Sequence, residues 1–152
     1  MAKVRTSPDW KAIFFQAMER SQNATLLVDF EGRITFVNPA CERLLSYRRE
    51  ELLGERLPLL YPIEAQGTLR RMFQRAKETG FGQEELELLG RNGTRLEVQT
   101  SMVLLQDGGG GYREVIVINR NISELSALRR ELERQREELL SLIHISEPTR
   151  PY

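Results

Sequence analysis

The chain has 152 residues, 40% of them hydrophobic and 29% charged, which fits one globular domain with appendages. Basic and acidic residues number 22 each, so the formal net charge is zero and gives no electrostatic footprint for nucleic acid. A single cysteine excludes an internal disulfide. The N-terminus lacks the apolar segment of a signal peptide, and no apolar run approaches the roughly 20 residues needed to span a bilayer. We therefore expect a cytoplasmic protein without a membrane segment here.

The first predicted element is an amphipathic helix within residues 1–22. Ser7 suits the N-cap position and Pro8 the first helical position. Apolar residues then follow at helical spacing: Trp10, Ile13, Phe14, Ala17 and Met18. We expect this face to pack on the chain's own sheet, and the alternative is a dimer contact through Trp10, Phe14 and Met18.

Two strands and an abrupt helix follow in residues 24–57. The apolar run 26–28 has the length of a strand, and Gly32 supplies a turn because glycine reaches positive φ without steric penalty. Residues 34–37 are rich in β-branched and aromatic side chains, which favour a second strand. Asn38 and Pro39 end that strand and begin a helix, the first as cap and the second at the first helical position.

The remaining elements complete a sheet. Residues 66–79 form a predicted amphipathic helix that Gly80 ends, and 84–89 and 96–105 form a hairpin around Asn92-Gly93. A last strand is predicted at 115–118. The economical arrangement is an α+β fold with a five-stranded antiparallel sheet covered by helices on one face.

This pattern resembles a PAS domain over residues 23–123. The resemblance rests on Val-Asp-Phe-Glu-Gly-Arg-Ile at 28–34, on Val-Asn-Pro-Ala at 37–40, and on Tyr47 leading through Glu-Glu-Leu-Leu-Gly at 50–54 to Leu57. It implies the five-stranded PAS sheet and a sensory role. In such sensors the last strand leads through an Asp-Ile-Thr-like tripeptide into a signalling helix. Here the corresponding signal-transmission residues are Asn121, Ile122 and Ser123, with an amide in place of the acid, so coupling is expected to be weaker or differently organised.

A coiled-coil helix is predicted at residues 124–139. Leucines alternate by three and four, as at the a and d positions of a heptad, with Gln135 in the same register and charges on either side. An isolated helix this short is marginal in water, which favours a parallel dimer over a solvated single helix. The residues expected to form the dimer contact are Leu125, Leu128, Leu132 and Leu139. Residues 140–152 look like the translation of a sequencing adapter, so we treat them as an artefact and give His144 no role.

Candidate chemistry is sparse. Haem-binding PAS domains use a histidine on the long helix, and the predicted helix 66–79 has none. Flavin photoreceptors of the family carry their reactive cysteine in a different segment from that of Cys41. We expect Cys41 to be a small buried hydrophobic residue. Gly108 to Gly111 lacks the lysine of a nucleotide-binding loop. Carboxylates alternating at 84–87 indicate a solvated strand face. We therefore expect no enzyme activity, no metal site, and neither haem nor a covalent flavin.

A cavity remains as the candidate site. Apolar walls with a few polar groups between sheet and helices suit a small ligand, although the same side chains suit a filled core. The candidate lining residues are Leu27, Phe36, Leu44, Leu52, Met72, Phe73, Leu88, Val98, Thr100, Met102 and Val117. The predicted function is a sensory input module of a histidine kinase or diguanylate cyclase in a phosphorelay or in regulation of transcription, dimeric through its helices. The alternative is a ligand-free module for dimerisation and protein docking.

Overall fold

The computed structural model describes residues 9–109 and 111–146, and the boundary between its two units falls between Asn121 and Ile122 in the chain. The predicted cap at Ser7 and Pro8 and the side chain of Trp10 lie outside what is described. The helices are α1 (Asp9–Arg20), α2 (Pro39–Leu45), α3 (Arg49–Leu52), α4 (Gln66–Thr79) and α5 (Ser123–Ser146), with 3-10 turns at Leu57–Leu60 and Ile63–Ala65. The strands are β1 (Ala24–Val28), β2 (Ile34–Val37), β3 (Phe81–Leu89), β4 (Arg95–Gln106) and β5 (Arg113–Asn121).

The strands form one antiparallel sheet in the order β2-β1-β5-β4-β3, which confirms the predicted α+β fold. Strand β5 is central: its Val117 pairs with Leu26 of β1 on one side and with Met102 of β4 on the other. These three side chains belong to a core that helices α2 and α4 complete. Strand β3 begins at Phe81 rather than at the predicted residue 84, directly after the left-handed Gly80 that ends α4.

Asn38 fixes the N-terminal part of this unit through four hydrogen bonds. Its Oδ1 accepts from the backbone N–H groups of Thr25 and Cys41 at 3.0 and 3.1 Å, which caps α2. Its Nδ2 donates to the carbonyl oxygens of Met18 and Asn23, both at 2.9 Å. One buried amide therefore joins α1, β1 and α2.

Helix α1 packs on the sheet face opposite the core. The ring of Phe15 lies 4.9 Å from that of Phe36, which pairs with Leu27 across a bulged β1–β2 ladder. Leu26 and Val28 face the core, so Leu27 faces the other way. The prediction that Leu27 and Phe36 line a space under the helices is therefore wrong: both lie beneath α1.

Helix α5 forms the second unit and extends past the predicted end at Leu139 to Ser146. Two side-chain hydrogen bonds at helical spacing lie along it: Gln135 Nε2 donates to Glu131 at 3.1 Å, and Arg134 Nη1 donates to Glu138 at 2.9 Å. Four leucines of its predicted stripe have 48 to 64% of their surface exposed: Leu125, Leu128, Leu132 and Leu139. In the part of the chain that the structure describes, no helix combines the length and apolarity needed to cross a bilayer.

Candidate functional site

The space between sheet and helices is occupied mainly by side chains. Besides Leu27, which faces the other side of the sheet, seven of the predicted lining residues are at most 3% exposed: Leu52, Met72, Leu88, Val98, Thr100, Met102 and Val117. Leu44 and Phe73 are partly buried and pack against this cluster. The residues brought together are thus those of a close-packed core, and the accessible space lies at its edge.

A polar cluster lies inside this core. Asn119 of β5 is fully buried, and its Oδ1 accepts from the hydroxyls of Tyr61 at 2.8 Å and Thr100 at 2.7 Å. Its Nδ2 donates to the carbonyl oxygen of Ala24 at 3.1 Å. Burial raises the pKa of Tyr61 well above its usual value, so this hydroxyl stays protonated and remains a donor. The cluster joins the Leu57–Leu60 turn region to the central strand two positions before that strand ends.

Only Thr100 of this cluster was predicted as a site residue. Asn119 shares the strand face of Val115 and Val117, and a polar side chain at such a position is a signal that the sequence does carry. Tyr61 follows Leu60 in a segment with no clear periodicity, and its pairing with Asn119 spans 58 positions in the chain. Nothing local in the sequence indicates that pairing.

A cleft of about 140 Å³ opens beside the core, between α4, the β1–β2 turn and residues 56–58. Its apolar walls include Leu57, Leu69 and Phe73, the last of these a predicted site residue. Arg56 and Arg70 also line it. Small size, apolar walls and two arginines make this cleft a candidate binding site of the first unit.

Cations gather near the same end of the sheet. The ammonium of Lys77 lies 4.7 Å from the ring centre of Phe73 and 5.4 Å from that of Phe30. Arg113 covers Phe30 at 4.4 Å. Contacts of this kind hold the charges in place at the surface of the aromatic rings.

Cys41 lies on α2 with none of its surface exposed. Burial raises the pKa of its thiol from 9.0 to about 12, with the nearby Glu42 carboxylate adding to the effect. The thiol therefore stays protonated at neutral pH and is a poor nucleophile. Among the described residues, no cluster of three or more histidine, cysteine, aspartate or glutamate side chains has the arrangement of a metal site.

The predicted transmission residues form a short junction. Asn121 is the last residue of β5 and pairs with Val98, Ile122 follows, and Ser123 begins α5. Of the predicted N-terminal dimer residues, Phe14 and Met18 are half-buried, and Phe14 contacts Phe15 edge to face at 5.6 Å. Part of the surface of Phe14 and Met18 is thus covered within the chain itself.

A protein-family model identifies the family of this chain. The family model described as PAS domain matches residues 22–124. The chain is 23% identical over 141 residues to the oxygen sensor protein DosP of Escherichia coli strain K12, covering 90% of this chain and 17% of that protein. It is 24% identical over 135 residues to the sensor histidine kinase TmoS of Ectopseudomonas mendocina, covering 88% of this chain and 14% of that protein. The chain therefore spans less than a fifth of either relative.

Solved structures show the same fold. A PAS domain from Colwellia psychrerythraea superposes with a TM-score of 0.68 at 19% identity, covering 76% of this chain and 99% of that one. A domain of a sensory box sensor histidine kinase/response regulator from Geobacter sulfurreducens gives a TM-score of 0.62 at 26% identity, covering 74% and 94%.

Proposed function

Because this chain belongs to the PAS domain family, we propose that it is the sensory module of a longer signal-transduction protein and acts on an output domain through helix α5. The observation that carries the proposal is the stripe of exposed leucines on a helix that begins two positions after the central strand ends. Such a stripe is the pattern of a two-stranded coiled coil, in which one helix covers the leucines of the other. The module would work as a homodimer.

The relatives support the sensory role and suggest the output. One is a sensor histidine kinase and another an oxygen sensor, and both are several times longer than this chain. We propose a histidine kinase or a diguanylate cyclase as the output enzyme, with no catalytic activity in the module itself. Helix α4 has no histidine, and Cys41 is buried on α2, which supports a stimulus other than oxygen at a haem or light at a covalent flavin.

A second function is favoured by one observation. The close-packed core suits a PAS domain that binds no ligand and serves for dimerisation and protein docking. Both functions need the α5 dimer, but only the sensory one needs a ligand or redox signal.

Substitution of two leucines on α5 tests the dimer. Leu128→Lys with Leu132→Lys places four like charges in the proposed seam of a dimer, so we expect the mass measured by light scattering to fall from dimer to monomer. The control is Glu137→Lys, which adds a positive charge on the opposite side of the helix and should leave the dimer intact. A monomeric unsubstituted chain, or a double variant that stays dimeric, would contradict the proposal.

A further inference from the structure

The cleft beside α4 combines apolar and charged lining residues. Leu57 and Leu69 are at most 3% exposed and form its floor, and Phe73 forms one wall. Leu69, Arg70 and Phe73 follow at helical spacing, so a single face of α4 supplies an apolar surface with a cation beside it. The cleft therefore offers both an apolar and an ionic contact to one ligand.

The arginines differ in how they are held. Arg56 Nη1 donates to the carbonyl oxygen of Glu31 at 3.1 Å, which fixes its guanidinium at the rim while leaving further donors free. Arg70 is exposed and has no ion pair with any residue in the described ranges 9–109 and 111–146. A guanidinium without a carboxylate partner, beside apolar walls, suits recognition of a ligand carboxylate.

The charge balance limits the ligand to a small net charge. Glu31 also lines the cleft, so the formal charges of the lining residues Glu31, Arg56 and Arg70 add up to one positive charge. Lys77 does not line the cleft, and its ammonium lies over the ring of Phe73 at 4.7 Å from the ring centre. At about 140 Å³ the cleft is well below the size of a drug-sized site and holds about four or five water volumes.

We propose that this cleft binds a short aliphatic monocarboxylate, with its carboxylate between Arg56 and Arg70 and its chain against Leu57, Leu69 and Phe73. An inorganic dianion would leave the apolar walls uncovered, and a neutral molecule would leave Arg70 unpaired. This ligand would be the input of the proposed sensory function. Only its role as an input rests on that function; its binding to the cleft does not.

Titration of the full chain with butyrate, followed by amide chemical shifts, tests the site. We expect the shifts to centre on Gly32, Leu57 and Arg70, and butyramide, which has the same shape without the charge, to bind at least about tenfold more weakly. Arg70→Gln should weaken butyrate binding by about tenfold. Arg71→Gln is the matched control, because Arg71 is the next residue of α4 and does not line the cleft.

The site would be overturned by the absence of saturable shifts, by equal binding of butyrate and butyramide, or by inorganic phosphate binding as tightly as butyrate. Shifts centred elsewhere, or an unchanged affinity in Arg70→Gln, would also reject it. The readout does not involve α5, so failure here leaves the dimer test standing. Likewise, a monomeric chain would reject the coiled-coil proposal while leaving the affinity for butyrate measurable.

Discussion

Asn119 shows how one residue connects distant parts of the molecule. Its amide oxygen accepts hydrogen bonds from the hydroxyls of Tyr61 and Thr100, and its amide nitrogen donates one to the carbonyl oxygen of Ala24. Three separate segments of the chain therefore meet at one side chain of the central strand. Hydrogen bonds in a buried environment are stronger than in water, and leaving one unmade is correspondingly costly. We infer that the turn region containing Tyr61 and the end of β5 move together.

Removal of the Tyr61 hydroxyl tests this connection. We expect Tyr61→Phe to lower the free energy of unfolding by about 1 to 2 kcal/mol, because Asn119 loses one of two donors while Thr100 remains. Urea unfolding measures the change. In the control Tyr112→Phe the lost bond is to Glu114 from a half-buried ring, so a smaller effect is expected. Equal losses in the free energy of unfolding of both variants would show that the buried cluster contributes no more to stability than the hydrogen bond of Tyr112.

At the scale of elements, α4 lies very close to β3 at one point. A Cβ built on Gly82 would lie 2.8 Å from Met72 Cγ and 2.9 Å from the Met72 carbonyl oxygen. The carbonyl belongs to the helix backbone and has little freedom to yield. The absence of a side chain at Gly82 therefore sets the distance between the helix that lines the cleft and the sheet.

Gly82→Ala should consequently push α4 away from β3. We expect a loss of about 1 to 3 kcal/mol in the free energy of unfolding, as for overpacked cores, with faster amide exchange in α4. Chemical denaturation and hydrogen exchange measure the two effects. The matched control is Gly108→Ala, because a Cβ there meets nothing within 4 Å. A neutral Gly82→Ala would show that the helix can move aside without cost.

For the whole molecule, the division into two units predicts that the PAS unit is stable by itself. Its core residues all lie before Asn121. We expect a chain that ends at Ser123 to unfold cooperatively, with a free energy of unfolding within about 1 kcal/mol of the full chain's under monomeric conditions. Calorimetry and urea unfolding make the comparison. Loss of cooperative unfolding on truncation would contradict the assignment of α5 to a separate unit.

The sequence predicted those parts of the fold that local chemistry determines. Asn38 and Pro39 mark the start of α2, and Gly80 marks the end of α4, because each residue type has a strong backbone preference there. Burial on both faces made β1 ambiguous: all five of its residues are buried, so periodicity could not assign Leu27 to a face.

The candidate site was predicted less completely than the fold. The bulge near Leu27 and Val28 shifts the alternation of side chains along β2. Phe36 was therefore assigned to the residues that face the core. The cleft and the Tyr61 cluster depend on residues brought together from distant positions, which local patterns do not record. The sequence did not indicate that Arg56 and Arg70 line the same cleft, because each has other charged residues beside it in the chain.

The central position of the last strand also determines when the sheet can be completed. Hairpins β1–β2 and β3–β4 have no ladder hydrogen bonds to each other, and each depends on β5 for its connection to the rest of the sheet. On the ribosome the two hairpins must therefore wait with unpaired edges until residues 113–121 leave the exit tunnel, which is the period of greatest exposure to aggregation. The sheet then closes just as α5 begins to emerge, so a nascent chain completes its sensor fold before its leucines can meet a partner's.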